Sequence, residues 1–459
     1  MSLKSFFFDF VMPLHHLYME IEDIGIRIDF DRRRELQDRY IKEWKEQQAE
    51  LNQLAGFPVN VLSNDMPGDD VNKWGQIPRL LYVHLGIPKR SSADEETICG
   101  LLGNIVKDAR RRRILELILE IRGTRKALGY VMAVPDYDGR MRTGYRIVGT
   151  ETGRTSTSTL KPPTRAEDCG LAFQTLSKRG DAGKDIRSMF IPDEGCGFVE
   201  ADLSQAEARV VALLSNDSDT LKLFEMADIH KLTAAVIFFN APIDNIKPDP
   251  EKLKQIQSLL DKVEKNTHRF VGKTARHAYN YDMKKHRLMI QVNTDARKYH
   301  IPIDPISEWF AGKIITKLDQ LMPNVKGIFH EEVRRILAET RTLKNPYGRV
   351  RFFMGRWEPD LFREAYAHIP QSTVSDHNKR AMLACKFRKP DLQIILESHD
   401  SFLVQCPKDE IPEVAVMMKE ELEREIDFSS CSLIRGKLKI PAEVKVGLNN
   451  YKDLEDFAV

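Results

Sequence analysis

The sequence predicts a mixed chain of the α/β (α+β) kind, and three stretches predict it. Phe198–Ala201 is a short apolar run entered through Gly195 and Gly197; from Ser204 the period lengthens, and Ala206, Val210, Leu213 and Leu214 recur at helical spacing. Residues 31–135 read as a largely helical, highly charged lobe, with a β-rich region after it. Leu392–Gln405 reads as two strands around a tight His399-Asp400 turn. Two of these stretches place an aspartate at a strand end. Asp202 falls at a strand-to-helix junction with Ser204 as the expected N-cap. Asp400 projects from the second. A carboxylate aimed out of a sheet suits a hard cation such as Mg²⁺; helix capping is the plainer use of Asp202 on its own stretch.

A chain of 459 residues allows roughly three domains. Hydrophobic residues at 42% and charged residues at 30% exclude a disordered chain. The net charge of +2 means that any nucleic-acid role must come from clustered cations. Cys99, Cys169, Cys196, Cys385, Cys406 and Cys431 form no CxxC and no zinc spacing, which implies a reducing compartment and no structural metal. No apolar run approaches the roughly 18 residues of a membrane helix, and Asp9 cuts Phe6–Phe8 short of a signal peptide.

In chain order, residues 12–30 predict a short helix, a turn at Gly25 and a strand through Ile26, Ile28 and Phe30. Residues 31–54 predict a long amphipathic helix stopped by Gly56, residues 59–63 an extended segment, and residues 74–85 a helix. Ser91–Glu95 opens another helix. Arg110–Arg113 is a solvated face on its own spacing, with a grip on a phosphate backbone as the sharper reading. Asp138-Gly139 marks a hairpin turn. Thr150–Ser158 is hydroxyl-rich around Arg154, a composition suited to sugar and phosphate contacts. Residues 161–171 read as a loose insertion.

Asp228-Ile229-His230 opens a helix through Phe239. In the helix that follows, Arg269, Lys273, His277 and Tyr281 are spaced by four and share a slowly wrapping face. Like charges at that spacing cost about 0.2–0.5 kcal/mol in an isolated helix. An anion such as a triphosphate would offset the repulsion, and a ring further along suits base stacking. Residues 305–340 predict helix, Thr342–Gly355 a basic, aromatic turn, Arg363–Phe387 a helix carrying Gln371, residues 409–426 a helix, and residues 438–446 a last strand.

Three stretches in this order, DLSQAEAR, RFVGKTARHAYNY and ESHDS, resemble motifs A, B and C of family A DNA polymerases. MEIEDIGIRID, VNVLS, SSADEE, DGRMRT, TETGRTSTS, KDIRSMFIP, DIHKLTAA and PQSTVSD are similar to further segments of the same polymerase region, so nearly the whole chain is covered. The resemblance implies a right-hand fold with an antiparallel-sheet palm, α-helical fingers and an α-helical thumb. Its boundaries here would be palm at 1–30, 136–215 and 365–459, thumb at 31–135, and fingers at 216–364.

The resemblance implies a template-directed DNA polymerase that extends a primer 3′-hydroxyl with dNTPs. Its cofactor would be two Mg²⁺ ions, with Mn²⁺ as the substitute, held by Asp202 and Asp400. Glu207 corresponds to the steric gate beneath the sugar 2′ position. His230, Arg269, Lys273 and His277 correspond to contacts of the incoming nucleotide, and Tyr281 to the ring beside the templating base. Arg154 and Gln371 correspond to minor-groove contacts near the primer end, Arg363 to one on the template side, and His399 to a further DNA contact. Partners would be primer–template DNA, dNTPs and replication accessory factors, with no membrane. The enzyme would be a monomer in a bacterial or phage-infected cytoplasm, with an organelle as the other compartment. Residue 1 falls at the start of the polymerase region, ahead of which the family carries its proofreading domain; the resemblance implies either a fragment or a protein that lacks that domain, with no 3′→5′ exonuclease domain in this chain.

The chain departs from the family pattern at several points. His277 stands where Phe or Tyr is usual, Asp282 replaces the glycine after Tyr281, Ser401 replaces the glutamate after His-Asp, and an insertion separates Arg154 from Gln174. A single-subunit RNA polymerase shares the hand fold and both aspartates, but a gate at Glu207 argues against it. A non-catalytic primer–template binding module could dispense with an aspartate, and both are kept.

Overall fold

The computed structural model describes residues 3–104, 106, 108–161, 168–176 and 180–459. Part of the expected insertion at 161–171 therefore lies outside the described residues. The chain opens with helix α1 (Met12–Ile24), which Gly25 ends at φ +60, where a Cβ would lie 2.7 Å from the Arg142 side chain. Strand β1 (Ile26–Ile28) is shorter than the sequence implies. Asp29 accepts from the amides of Asp31 (3.1 Å) and Arg32 (2.9 Å), so it caps helix α2 (Phe30–Ala55) and draws Phe30 into the helix.

Helix α2 packs along helix α3 (Ala109–Val131). Between their distal halves lies a separate core that includes Leu51, Leu80, Ile98, Leu117 and Ile121. Val59 and Val61 point into it from an irregular segment, not a strand, and the expected helix at 74–85 forms over 76–84, α-helical at Gln76–Pro78 and wider-wound at Arg79–His84. The lobe is rooted at its other end, where Leu36, Tyr40, Ala127 and Val131 join Phe190, Phe198 and Leu403 in a second core. The arginine run is largely spent inside the lobe. Arg113 forks onto Glu50 at 2.7 and 2.8 Å, Arg110 donates to the Leu54 carbonyl, and Arg112 donates to that of Leu102. These three guanidinia join α2, α3 and the helix Glu95–Asn104, while Arg110, Arg111 and Arg112 remain exposed, the solvated face that their spacing implies.

Strand β2 (Arg140–Met141) and strand β3 (Phe190–Ile191) flank β1 in a small antiparallel sheet. Strand β4 (Cys196–Leu203) then enters the main sheet and helix α4 (Ala206–Leu214) leaves it. Two helices that matter later follow: α5 (Ile229–Phe239), capped by Asp228, and α6 (His268–Asn280). They cross at Gly272, where a Cβ would sit 2.6 Å from the His230 carbonyl oxygen. A short hairpin pairs Thr342–Lys344 with Val350–Phe352. Helix α7 (Pro359–Arg388) is followed by strands β5 (Gln393–Ser398) and β6 (Ser401–Pro407), helix α8 (Ile411–Leu422), and strands β7 (Ala442–Gly447) and β8 (Glu455–Asp456). Pro441, which has no N–H to give, separates β7 from the earlier pairing of Lys437–Leu438 with Ile426–Asp427.

The main sheet has the order β8-β7-β4-β6-β5 among the described residues, and every pair is antiparallel. Its centre is apolar: Val199, Ala201, Phe402 and Val404 on one face, Phe198 and Leu403 on the other. The short apolar run at Phe198–Ala201 is thus covered on both faces, as a buried strand requires.

Candidate active site

Register brings the two strand-end aspartates together. In β4, Asp202 lies opposite Ser401 of β6 and opposite Glu443 of β7. The Leu203 amide donates to the carbonyl of Asp400 at 3.0 Å. Asp400 follows His399, whose φ of +61 makes the turn so tight that the Asp400 amide reaches the Ser398 carbonyl at 2.7 Å. Both aspartates are half-buried.

One local expectation is corrected. Ser204 is not the N-cap of α4: its amide donates to the Pro441 carbonyl and its hydroxyl to Glu443, so the sheet has claimed it. Gln205, at φ +53 and with no capping side-chain bond, makes the junction instead. Asp202 consequently sits within the strand, one residue short of its end.

Glu207 stands in the first turn of α4 and is the hub of a polar group that no single stretch of sequence reveals. The Arg154 guanidinium donates to one of its oxygens, and the Tyr281 hydroxyl donates to the other at 2.5 Å. Gln371 of α7 bonds the same tyrosine. Burial and the adjacent Glu207 charge push the Tyr281 phenol well above its ordinary value, so it remains a donor throughout the working pH range. His277 meets Tyr281 edge to face, with ring centroids 5.2 Å apart. The His277 ring keeps access to solvent, but the walls of the cleft crowd it. Loss of hydration lowers its pKa, with Glu207 opposing and Arg154 and Lys273 adding to the shift. In this fold the neutral ring is favoured, the opposite of the charged ring that a triphosphate alone would imply.

The cationic face of α6 forms as its spacing requires. Arg269 donates to Asp228 at 2.5 Å, the same carboxylate that caps α5 through the amides of His230 (2.9 Å) and Lys231 (3.1 Å). Lys273 is exposed one turn on. His230 lies at the base of this face, only 5% exposed, and its Nδ1 has no hydrogen-bond partner. Burial first, then the charges of Arg276, Lys273 and Arg269, hold its imidazole down to about 3. Arg363 lies apart from the cluster, at the start of α7, paired with Asp360.

Four supporting residues carried no role in the sequence reading. Glu397, 1% exposed, accepts from the Thr155 hydroxyl, from Gln174 at 2.8 Å and from the His399 amide at 2.9 Å, so it ties the Arg154 loop to the His399-Asp400 turn. Its position two residues before His399 was the available signal, since alternate strand residues share a face. Lys379, fully buried in α7, donates to the Gly153 carbonyl at 2.5 Å, and burial pulls its ammonium down to about 8. Arg349 packs beneath Gly153 and forks onto the fully buried Asp376. No local pattern announces those two contacts.

Among the described residues, no group of three or more His, Cys, Asp or Glu side chains is placed to hold a metal ion. The donor set at the sheet nevertheless suits Mg²⁺. That ion is commonly held by one or two carboxylates, with substrate phosphate and water completing the shell, and Asp202 and Asp400 offer two carboxylates. All six cysteines are free.

The architecture, a mixed helical and antiparallel-sheet polymerase fold, is shared with a solved structure. The POL domain of Pol1 from M. smegmatis, in complex with DNA primer-template and dNTP, superposes with a TM-score of 0.76 at 19% identity, covering 98% of this chain and 71% of that one. The sequence profile of DNA polymerase family A matches residues 31–453, and the chain belongs to that family. It is 28% identical to the thermostable DNA polymerase I of Thermus aquaticus over 95% of its own length and 47% of that protein's. It is 25% identical to DNA polymerase I of Chloroflexus aurantiacus over 91% of its length and 41% of that protein's. The chain spans about half the length of the curated relatives it matches.

Proposed function

We propose that this chain is a template-directed DNA polymerase that extends a primer 3′-hydroxyl with dNTPs. The observation that carries the reading is the register of β4 against β6, in which Asp202 pairs with Ser401 and Leu203 bonds the Asp400 carbonyl; the Arg154–Glu207–Tyr281 group supports it. The 3′-hydroxyl loses its proton to water as its oxygen bonds to the α-phosphorus, and the bond from that phosphorus to the bridging oxygen breaks, releasing pyrophosphate. Asp202 and Asp400 would hold two Mg²⁺ ions, which supply charge neutralisation at the attacking and leaving oxygens. Lys273 and Arg269 meet the triphosphate, with His230 behind them as a neutral donor or acceptor. Glu207 fills the space beneath the sugar 2′ carbon and admits deoxyribose. Tyr281 presents its ring to the templating base while its hydroxyl holds Glu207. Arg154, Gln371 and His399 lie on the primer side and Arg363 on the template side.

In this reading the palm comprises 1–30, 136–215 and 365–459, the thumb 31–135 and the fingers 216–364; the separate core of the lobe supports the second assignment. Primer–template DNA and dNTPs are the partners, and the protein acts as a monomer, with accessory factors added during replication. No helix among the described residues is long and apolar enough to cross a membrane, and the reading places the enzyme in a bacterial or phage-infected cytoplasm. The test is primer extension with Mg²⁺, offering dNTPs or rNTPs. Asp202→Ala and Asp400→Ala each abolish extension while keeping primer–template affinity within a few-fold, because phosphate contacts dominate binding. Substantial extension by either variant removes the assignment.

A further inference from the structure

The basic, aromatic turn at 342–355 has no part in the chemistry above, yet its surface is unusual for a soluble protein. Phe352 is 58% exposed, Met354 76% and Trp357 47%, while Phe353 between them is buried and anchors the segment. Large apolar side chains exposed side by side mark a recognition surface more often than scattered single ones do. Arg341 lies over the Trp357 ring at 3.8 Å and donates to the Phe353 and Gly355 carbonyls, fixing the loop.

Arginines and carboxylates both border the loop. Asp360 and Glu364 in the first turns of α7 are held by Arg363 and Arg351. Arg351 also meets Glu151 at 3.6 Å, whereas Arg341 and Arg356 form no ion pair among the described residues. Flat rings and arginines together, without a deep pocket, are what unpaired bases and their phosphates require.

The surface also connects to Tyr281. The carbonyl of Asn280, its neighbour in α6, is bonded to His330 at 2.9 Å, and the His330 ring stacks on Tyr366 at 3.8 Å. Arg334 spans Tyr366 and Phe362, and Phe362 stacks on Trp357 at 5.4 Å. A packed row of rings thus runs from the end of α6 to the exposed loop.

We propose that Phe352, Met354 and Trp357 form a stacking platform for the unpaired template strand, beyond the base that lies against Tyr281. This inference rests on the reading of the chain as a polymerase. Stacking tolerates any base, so the platform holds the strand without selecting its sequence.

The test uses the full chain without divalent metal. Fluorescence anisotropy compares two fluorescein-labelled primer–templates, one blunt and one with a 5′ template overhang. Trp357→Ala and Phe352→Ala should each weaken binding of the overhang DNA by about tenfold and leave the blunt duplex unchanged. Trp357→Tyr should restore most of the affinity, and Trp309→Ala, which alters an exposed ring on another helix, should change neither. Equal losses on both DNAs, or no loss on either, would overturn the platform. So would variants that alter only self-association in sedimentation, since the patch would then be a protein contact. A wild type that binds both DNAs and shows the overhang effect but never extends a primer with Mg²⁺ would retire the polymerase reading and leave the platform standing.

Discussion

Removing the Glu207 carboxylate should affect two partners at once, and a double-mutant cycle can separate them. Its two oxygens take one bond from Arg154 and one from the Tyr281 hydroxyl, and all three side chains are largely shielded from water. A hydrogen bond to a charged group is worth about 1.5–3 kcal/mol. Tyr281→Phe deletes one such bond and leaves Glu207 held by Arg154, a loss of about 1.5 kcal/mol. Glu207→Ala deletes both and strands a guanidinium, a loss of about 3 kcal/mol. In the Glu207→Ala background the tyrosine hydroxyl has already lost its acceptor and keeps only Gln371, so Tyr281→Phe should cost almost nothing further. The expected coupling is about 1–2 kcal/mol, measured as urea midpoints of the four proteins. The same four proteins, compared by kcat/KM for dNTP and rNTP, should show the largest gain of ribonucleotide use with Glu207→Ala and a smaller gain with Tyr281→Phe. Additivity to within about 0.5 kcal/mol would refute the idea that the three side chains act as one unit.

Asp376→Asn leaves the Arg349 guanidinium beneath Gly153 without its counter-charge, a loss of about 3 kcal/mol that a urea midpoint would register; a shift under 1 kcal/mol would contradict it. Burial pushes His230 and His368 down to about 3 and His330 and His377 down to about 4, while an unfolded histidine titrates near 6.5. The unfolded chain therefore binds more protons between these values. Stability should be full above pH 6.5 and fall as pH drops toward 4, by up to about 2 kcal/mol per histidine at pH 5; a flat profile from pH 7 to 5 would contradict this. His277→Phe should raise discrimination against dideoxynucleotides by removing a polar ring edge. Because burial lowers the His277 pKa, wild-type discrimination should be the same at pH 7 and pH 8, and a change across that interval would show that the ring is charged in the working complex.

What could be read in the sequence follows the range of the interactions involved. The β4 strand, the capped start of α5 and the four-residue ladder on α6 are set by local periodicity and by a carboxylate near its own helix, and each formed as expected. The start of α4 was misplaced because Ser204 looks like a cap to its neighbours in sequence, while the Pro441 carbonyl and Glu443 reach it from a strand far along the chain. The arginine run was ambiguous for the same reason: whether Arg113 meets phosphate or Glu50 depends on which helix lies beside it. The aspartates could be named separately, but their adjacency required the register, and the Arg154–Glu207–Tyr281 group required three segments to converge.

The close crossing at Gly272 has a mechanical consequence. With no room for even a methyl group between α6 and the backbone of α5, and with Arg269 fastened to the residue that caps α5, neither helix can slide past the other. The pair is a single lever. Arg269, Lys273 and His230 therefore hold a fixed mutual spacing. Asn240, at φ +52, closes α5, and Asp282, at φ +55, lies just past α6, so each helix of the pair is followed by a left-handed residue.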